Sequence, residues 1–538
     1  MVRAHAGDGG PGSPRPCRRT HPFCAPAPRL LPRHRPDRLL AGVRLLADHG
    51  RAVRLPRLAL LAGQAAGPPA ARPLSAAGEA APAARLGSAS IARQLLHHAW
   101  PVLIAQVLSM GMMIADTIIA GRYGTTDLAG VAIGSSFYVS VVMLLTGTLQ
   151  AVAPTVAHHY GAGRGDEIGP ALQQGFWLAA MLAVPGTLAL AHPGPLLGLA
   201  DVPPDVAGKA EAYLRATAFG LPAVLLYRTF YAFNNAVGRP RALMAFSAIS
   251  TSAHIPLAWA LTNGRFGLPE LGGSGCGVST AAVSWLAAAC GLIYLLRNPA
   301  YRPYRIFSRW QAPRPRAIGG LLRLGVPMGL STFIDITSFT LIAIFAARLG
   351  AETVAGHRVI ANLTGLIYML PLALSISTLV LVGQAAGAHD WRRARATARV
   401  GLSLTAGFAV AIGIVLWLVR EPVVAYSTTD PTVRTIALGL VVYLCLYQGF
   451  DGLQTVAAHA LRGYKVTLLP MALHTLCFWG IGLSGGYWLS FHAPWRLAAP
   501  SVAGFWEGCV LATVVATVLF GSLLRVVAWR HGAKPAAS

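Results

Sequence analysis

Residues 101–121 read PVLIAQVLSMGMMIADTIIAG, a run in which Asp116 is the only charged residue. A transmembrane helix needs about 20 mostly apolar residues, so this stretch predicts a membrane span. A charge at the bilayer centre costs about 2.5–3.5 kcal/mol on insertion scales, and such a residue therefore faces a protein interior or a wet cavity. We interpret Asp116 as part of an ion or substrate path. A structural polar residue, paired inside a helix bundle, is the alternative.

Similar apolar stretches recur along the chain from residue 97 onward. Of its 538 residues 54% are hydrophobic and 12% are charged, whereas a soluble domain has about 25% charged residues. The sequence predicts an all-α, polytopic membrane protein with twelve transmembrane helices. The predicted spans are residues 97–120, 129–153, 170–192, 209–234, 242–262, 276–296, 318–346, 354–383, 398–419, 433–460, 467–490 and 502–528.

The basic residues lie mostly in short connections and at the N-terminus, so the net charge of +25 does not indicate a nucleic-acid partner. The connections after spans four, six, eight and ten are basic, which is typical of cytoplasmic loops. By the positive-inside rule both termini are then cytoplasmic. The connection after span six has seven arginines and no acid: Arg297, Arg302, Arg305, Arg309, Arg314, Arg316 and Arg323.

The first 90 residues differ from the rest, because they are rich in Arg, Pro, Ala and Gly and cannot bury a core. We consider three interpretations of this segment: a disordered basic tail, a transit peptide, or translation that begins upstream of the native start codon. We predict an N-terminal six-helix bundle at 91–300, a cytoplasmic linker at 301–317, a C-terminal six-helix bundle at 318–530 and a tail at 531–538. The seven cysteines show neither metal-site nor disulfide spacing.

The two halves of the chain repeat when one is shifted by 226 positions without a gap. Each repeat holds six spans, an even number, so both bundles insert in the same orientation around a pseudo-two-fold axis along the membrane normal. This architecture is typical of transporters, whose sites lie near the bilayer midplane. The matches include Pro101 with Pro327, Arg122 with Arg348, Gly124 with Gly350, and Gly161-Ala162 with Gly387-Ala388.

Two more aspartates lie inside predicted spans, Asp335 in FIDITSF (333–339) and Asp451 in LYQGFDGLQ (446–454). Tyr447 and Gln448 share a helix face with Asp451 because they lie four and three positions before it. Such oxygen-bearing groups can bind a proton or a small hard cation, and neighbouring buried acids can share a proton. Asp335 and Asp451 therefore predict a proton- or cation-responsive switch. For Tyr447 and Gln448, ordinary interior hydrogen bonding is the alternative.

Several motifs together resemble the NorM branch of the multidrug and toxic compound extrusion (MATE) transporters over nearly all of 94–530. This resemblance implies an antiporter, not an enzyme, that needs no cofactor and exports drugs and other small organic cations in exchange for Na+ or H+. By this resemblance, Asp116 occupies the position of the acidic residue of the N-terminal bundle. Asp335 and Asp451 occupy the positions of the two acidic residues of the C-terminal bundle, and Tyr447 lies beside them. If transport is coupled to Na+, Asp335 and Asp451 would hold the ion. The motifs are PVLIAQVLSMGMMIADTIIAG (101–121), FGLPELGGSGCGVSTAAVSW (266–285), RLGVPMGLSTFIDIT (323–337), YQGFDGLQTVAAHALRGYK (447–465) and GFW (504–506).

The chain departs from this family pattern in spans seven and five. Relatives usually have Glu where this chain has Asp335, and often Asn at the positions of His254 and Ala258. His254 could pair with Asp116 and titrate near neutral pH, which favours a proton-linked or purely structural pair, with Thr280 as a further polar partner. Phe339 and Tyr368 could line a drug cleft through cation–π contacts, although core or lipid packing is the alternative. We interpret His474 as a packed interior residue.

Other functions fit the sequence less well. A flippase for lipid-linked saccharide or peptidoglycan precursors shares this architecture but is expected to have a strongly cationic cleft, whereas the charges within these spans are mainly acidic. A membrane-embedded enzyme would need a cluster such as HExxH or DDxxD, and the sequence has neither, nor a P-loop. We predict a monomeric, multi-pass protein surrounded by lipid in a bacterial inner (cytoplasmic) membrane.

Overall fold

A computed structural model describes residues 87–199, 203–492 and 501–532, and within these ranges it contains helices and no β-strand. The predictions for residues 1–86 lie outside the described residues. The first half contains eight α-helices: α1 (Ser88–Tyr123), α2 (Thr125–Leu149), α3 (Val152–Gly161), α4 (Gly165–Ala191), α5 (Gly194–Leu199), α6 (Pro204–Ala236), α7 (Pro240–Thr262) and α8 (Ser274–Arg297).

The second half begins after a short 3₁₀-helix, Pro299–Tyr304, in the connection. Asp390 and Asp430 cap α11 and α13, since their side chains accept hydrogen bonds from first-turn N–H groups. A π-helix, Leu476–Gly485, interrupts the eleventh span. The α-helices of this half are α9 (Pro315–Ala346), α10 (Ala351–Gly387), α11 (Trp391–Leu418), α12 (Arg420–Ser427), α13 (Pro431–Gly463), α14 (Leu468–Thr475), α15 (Gly486–Phe491) and α16 (Ala503–Gly532).

Each of the twelve predicted spans is helical along most of its length. In the described part of the chain, 10 helical segments are long and apolar enough to cross a membrane by length and composition alone. The two that miss this test are α6 and α7. Both bury polar side chains inside the protein, among them Thr217, Asn234 and Asn235 of α6 and His254 of α7. These polar residues make the two helices less apolar, so a test of length and composition alone does not identify them as membrane spans.

The apolar cores largely follow the two halves of the chain, and the first of them extends into the start of α9. One group of packed buried side chains runs from Ile119 to Met328, and two others draw on residues from Ile334 to Val527. Large apolar side chains such as Leu188, Phe219, Val410 and Leu418 are exposed on the outside. This is the pattern expected of helix bundles surrounded by lipid.

The two bundles meet closely where α3 crosses α10, which we call the closure contact. A Cβ atom added to Gly161 would lie 1.8 Å from the carbonyl oxygen of Gln384, and one added to Gly387 would lie 2.1 Å from that of His158. The 226-residue shift relates Gly161 to Gly387 and His158 to Gln384. The contact is therefore its own image under the pseudo-two-fold axis.

Hydrogen bonds between the bundles surround the closure contact. Gln384 Nε2 donates to the carbonyl oxygen of Ala236, the last residue of α6, at 2.8 Å. His158 Nε2 lies 2.8 Å from the carbonyl oxygen of Gly463, the last residue of α13. His98 of α1 adds a 3.0 Å contact to Ser377 Oγ of α10. Packed backbone and hydrogen bonds thus join the bundles at this end of the molecule.

Candidate functional site

Asp116, near the end of α1, forms a buried polar contact with α7. His254 Nε2 lies 2.7 Å from Asp116 Oδ1, and the His254 side chain is completely buried. Ser279 Oγ of α8 lies 3.1 Å from the other ring nitrogen, His254 Nδ1. Tyr213 and Cys276 are within electrostatic reach of the carboxylate. Carboxylate, imidazole and hydroxyl therefore form one connected chain across three helices.

Small residues at the start of α8 bring these helices together. A Cβ atom added to Gly275 would lie 2.7 Å from the backbone nitrogen of Thr262, and one added to Gly277 would lie 2.9 Å from the carbonyl oxygen of Tyr213. The glycines of the GSGCGVS segment thus allow close backbone approach to α7 and α6. The predicted partner Thr280 is half-buried one position further on, and the contact to His254 comes from Ser279 instead.

A second carboxylate–imidazole pair lies in the other bundle. His474 Nε2 of α14 lies 2.7 Å from Asp335 Oδ1 of α9. The His474 ring stacks on Phe478 at 4.3 Å between centroids, and the π-helix begins two residues later. π-helical turns occur frequently at functional sites. Interpreting His474 as a packed interior residue thus missed its carboxylate partner.

Asp451, the third predicted acid, lies buried on α13 close to Asp335. Gln454 Nε2 donates to Asp451 Oδ1 at 3.0 Å, and Tyr447, one turn earlier, interacts with the same carboxylate. Tyr368 of α10 is within electrostatic reach of both Asp451 and Asp335. The structure therefore groups Asp335, Asp451, Tyr447 and Tyr368 in one cluster.

Two predicted residues lie beside this cluster. Gln448 donates to the carbonyl oxygen of Thr364 at 3.2 Å and lines a small apolar cavity with Phe408. Phe339 packs edge-on against Tyr447, with centroids 5.8 Å apart, and against Trp506. Phe339 therefore supports the tyrosine, and Gln448 is turned towards α10.

Sequence reasoning also missed Arg462, a buried cation near the end of α13. Its Nη1 lies 3.1 Å from His459 Nε2, and it is within electrostatic reach of Asp335 and Tyr368. Arg462 offsets part of the negative charge of the cluster. Among the described residues, no group of three or more His, Cys, Asp or Glu side chains could hold a metal ion.

The two carboxylate–histidine pairs lie on equivalent helices of the two bundles but at different positions along them. Asp116 and His254 lie on the first and fifth spans of one bundle, and Asp335 and His474 lie on the first and fifth spans of the other. The 226-residue shift places Ser109, not Asp116, opposite Asp335. Ser109 and Asp116 are seven residues apart on α1, about 10 Å along a helix. The pairs are therefore similar in chemistry but not related by the repeat.

A sequence model of the MatE family matches residues 101–260 and again residues 327–488. The chain belongs to the MatE family. The two MatE matches begin 226 positions apart, the shift that relates the two halves. The chain is 70% identical over 440 residues to a probable multidrug resistance protein NorM from Aromatoleum aromaticum, covering 82% of this chain and 95% of that protein. It is 36% identical to the multidrug resistance protein PmpM of Pseudomonas aeruginosa, covering 79% and 90%.

Solved structures of MATE transporters have the same fold. The eukaryotic transporter AtDTX14 superposes with a TM-score of 0.75 at 18% identity, covering 83% of this chain and 99% of that one. An outward-facing MATE family transporter superposes with a TM-score of 0.75 at 16% identity, covering 82% and 97%. The predicted MATE resemblance and the predicted fold class, twelve transmembrane helices in two bundles, are confirmed.

Proposed function

We propose that this MatE protein is a secondary active multidrug efflux antiporter, which exports organic, mostly cationic compounds in exchange for protons by alternating access. The names of the relatives from Aromatoleum aromaticum and Pseudomonas aeruginosa support the multidrug part of the proposal. The two carboxylate–imidazole pairs, Asp116–His254 and Asp335–His474, are the basis for proposing that transport is coupled to protons.

A proton suits these pairs better than Na+ does. Hard cations take oxygen ligands, yet one oxygen of Asp116 and one of Asp335 already contact imidazole nitrogen at 2.7 Å. Asp451 likewise accepts an amide N–H from Gln454. A histidine–carboxylate pair can instead take up or release a proton, because imidazole is the side chain whose ordinary charge change falls between pH 5 and 8. Na+ held by Asp335 and Asp451 is the alternative coupling ion.

The substrate site lies, on this proposal, beside Asp335. Its side chain is 38% exposed, whereas that of Asp116 is 12% exposed, so Asp335 is the more accessible acid. A cationic drug would compete there with the proton, and Tyr368 would contribute a cation–π face. The neighbouring Asp451 would hold the second negative charge of the cluster.

Alternating access requires the cleft between the bundles to close at one end at a time. The closure contact joins α3 and α10 by packed backbone at one end, which is the cytoplasmic end if the positive-inside rule holds. Proton binding can favour one state only by its difference in affinity between the two states. We propose a monomer in the bacterial inner membrane, with both termini in the cytoplasm.

Transport by the full chain in proteoliposomes tests this proposal. Ethidium uptake would be followed under an imposed pH gradient and, separately, an imposed Na+ gradient. We expect the pH gradient alone to drive transport, and Asp451→Asn to abolish it. The control Asp390→Asn, at an exposed helix cap, should transport normally. Transport driven only by Na+ would reverse the choice of ion. Inactivity under both gradients would contradict drug antiport and make lipid-linked precursors the next substrates to test.

A further inference from the structure

Residues 297–323, which comprise the end of α8, the connection after it and the start of α9, form an unusually basic surface, which we call the linker surface. All seven of its arginines are exposed, and it contains no Asp, Glu or Lys. Arg305 Nε lies 3.5 Å from Asp166 Oδ1, with both side chains largely exposed. Within the described residues, no other acid pairs with the seven arginines. The positive charge of the linker surface is therefore almost uncompensated by acids in the described part of the chain.

The linker surface has a fixed shape, because side chains of α4 hold its backbone. Gln173 donates to the carbonyl oxygens of Ile306 and Arg309 and accepts a hydrogen bond from the backbone of Gln311. Gln174 makes a second clamp, donating to the Ala312 carbonyl oxygen and accepting from the Arg314 N–H. These bonds use backbone groups and leave the arginine side chains free to point outward.

Two exposed aromatic rings lie among the arginines. Phe307 and Trp310 are 38% and 52% exposed, and their rings stack with centroids 6.4 Å apart. Leu296, in the last turn of α8, is also exposed. Aromatic side chains are enriched where membrane and water meet.

We propose that the linker surface binds the anionic headgroups of membrane phospholipids. Clusters of four to eight basic residues next to a transmembrane helix attract anionic lipids, and guanidinium groups form paired hydrogen bonds with phosphate oxygens. Phe307 and Trp310 enter the headgroup region, and the arginines surround the phosphates. This proposal concerns binding alone and holds whether or not the antiport proposal is correct.

Native mass spectrometry of the purified full chain tests the proposal. Phosphatidylglycerol or phosphatidylcholine would be titrated into protein held in neutral detergent. We expect phosphatidylglycerol to bind more tightly. The triple variant Arg302→Gln, Arg309→Gln, Arg316→Gln should lose this preference, with affinity falling roughly tenfold or more, since each charge near an anionic surface is worth about fivefold. The matching Arg→Lys triple should retain most of the binding, because it retains the charge.

A second triple variant controls for net charge. Arg392→Gln, Arg393→Gln, Arg399→Gln removes three exposed arginines from the start of α11, and it should leave the preference for phosphatidylglycerol intact. Equal losses in both triples, or no loss in the linker triple, would overturn the proposal. Competition by millimolar inorganic phosphate or by a short RNA would also overturn it, because the surface would then bind phosphates without a membrane.

Discussion

At the scale of single residues, the placement of histidine beside carboxylate separates this chain from a site built for a metal ion. Both Asp116 and Asp335 face an imidazole at 2.7 Å. An imidazole and a carboxylate together can hold one, two or no protons, so each pair can exchange charge without a metal. This makes the histidines as important to the proposed coupling as the acids.

The first prediction concerns Asp116. Asp116→Asn keeps the size of the side chain but removes its charge, and hydrogen bonds to charged groups are worth about 1.5–3 kcal/mol. We expect proton-driven ethidium transport to fall roughly tenfold to a hundredfold, with its pH dependence altered. The control Asp127→Asn changes another buried acid, which pairs with Lys209 at 3.2 Å, and should keep the pH dependence. If Asp116→Asn transports normally with normal pH dependence, the Asp116–His254 pair is structural and takes no part in coupling.

The second prediction concerns His474. His474→Gln keeps a hydrogen-bonding side chain but removes the titratable ring beside Asp335. We expect the pH gradient to lose most of its driving effect while the purified variant still binds ethidium, because Asp335 and Tyr368 remain. The control His531→Gln removes a histidine whose Nδ1 lies 2.8 Å from the Val527 carbonyl oxygen, and it should transport normally. Proton coupling of wild-type strength in His474→Gln would exclude His474 from the mechanism.

How far the sequence predicts these pairs depends on the family resemblance, because their separations along the chain, 138 and 139 positions, are almost equal. The Asp116–His254 pair could be anticipated because His254 stands where relatives often have Asn. The resemblance gave no such indication for His474, so its contact with Asp335 could not be predicted. Ser279 and Thr280 differ by one position, which turns a side chain about 100° around a helix. Predicting the partner of His254 therefore required the structure.

At the scale of helices, close packing between α6 and α8 positions the helix that carries Ser279, the hydroxyl partner of His254. A Cβ atom added to Gly220 would lie 2.6 Å from Ala281 Cα, so the backbones touch. Small residues permit such approaches in membrane bundles. The sequence showed these residues in FGLPELGGSGCGVSTAAVSW (266–285), but it did not show which helix they would face.

The third prediction follows from this packing. Gly220→Val should destabilise the protein by about 1–3 kcal/mol, the usual cost of overpacking a core, and should lower its thermal unfolding temperature in detergent. Gly208→Val lies on the same helix with open space around it, so it should unfold close to the wild-type temperature. Equal unfolding temperatures for the two variants would show that α6 and α8 can separate without cost.

Helix boundaries and irregular turns were less predictable than the existence of the helices. Hydropathy indicates span eleven but not its π-helix, because the change from α to π is set by packing against neighbouring helices. By contrast, α6 and α7 were predicted as spans in spite of their polar residues, since each contains about 20 mostly apolar residues. Polar residues inside these helices became explicable only once their buried partners were known.

At the scale of the whole molecule, the internal repeat explains the symmetry of the closure contact. The sequence predicted the two-fold relation from matches such as Gly161 with Gly387, but it gave no reason for these glycines. The structure supplies it: each glycine lies against the backbone of the other's helix, at positions 384 and 158. Opening this end of the molecule must break both halves of the contact together.

The fourth prediction uses this symmetry. Gly161→Val and Gly387→Val cannot be accommodated in the closed contact, because the added Cβ would overlap a carbonyl oxygen. Each variant should shift the population towards the state open at this end. Spin labels at exposed positions 164 and 388, in a background without reactive cysteines, would measure the change as a longer distance. Gly365→Val, on α10 but in open space, is the control.

The symmetry of the contact adds a quantitative test. Because either valine alone already separates α3 from α10, the double variant should open the molecule little further than each single one, and the two single variants should resemble each other. Ethidium transport should fall in all three, since a transporter held open at one end cannot complete its cycle. Unchanged distances in folded variants would mean that α3 and α10 can accommodate the added valine side chain without separating. The closure contact would then not be the gate that alternating access requires.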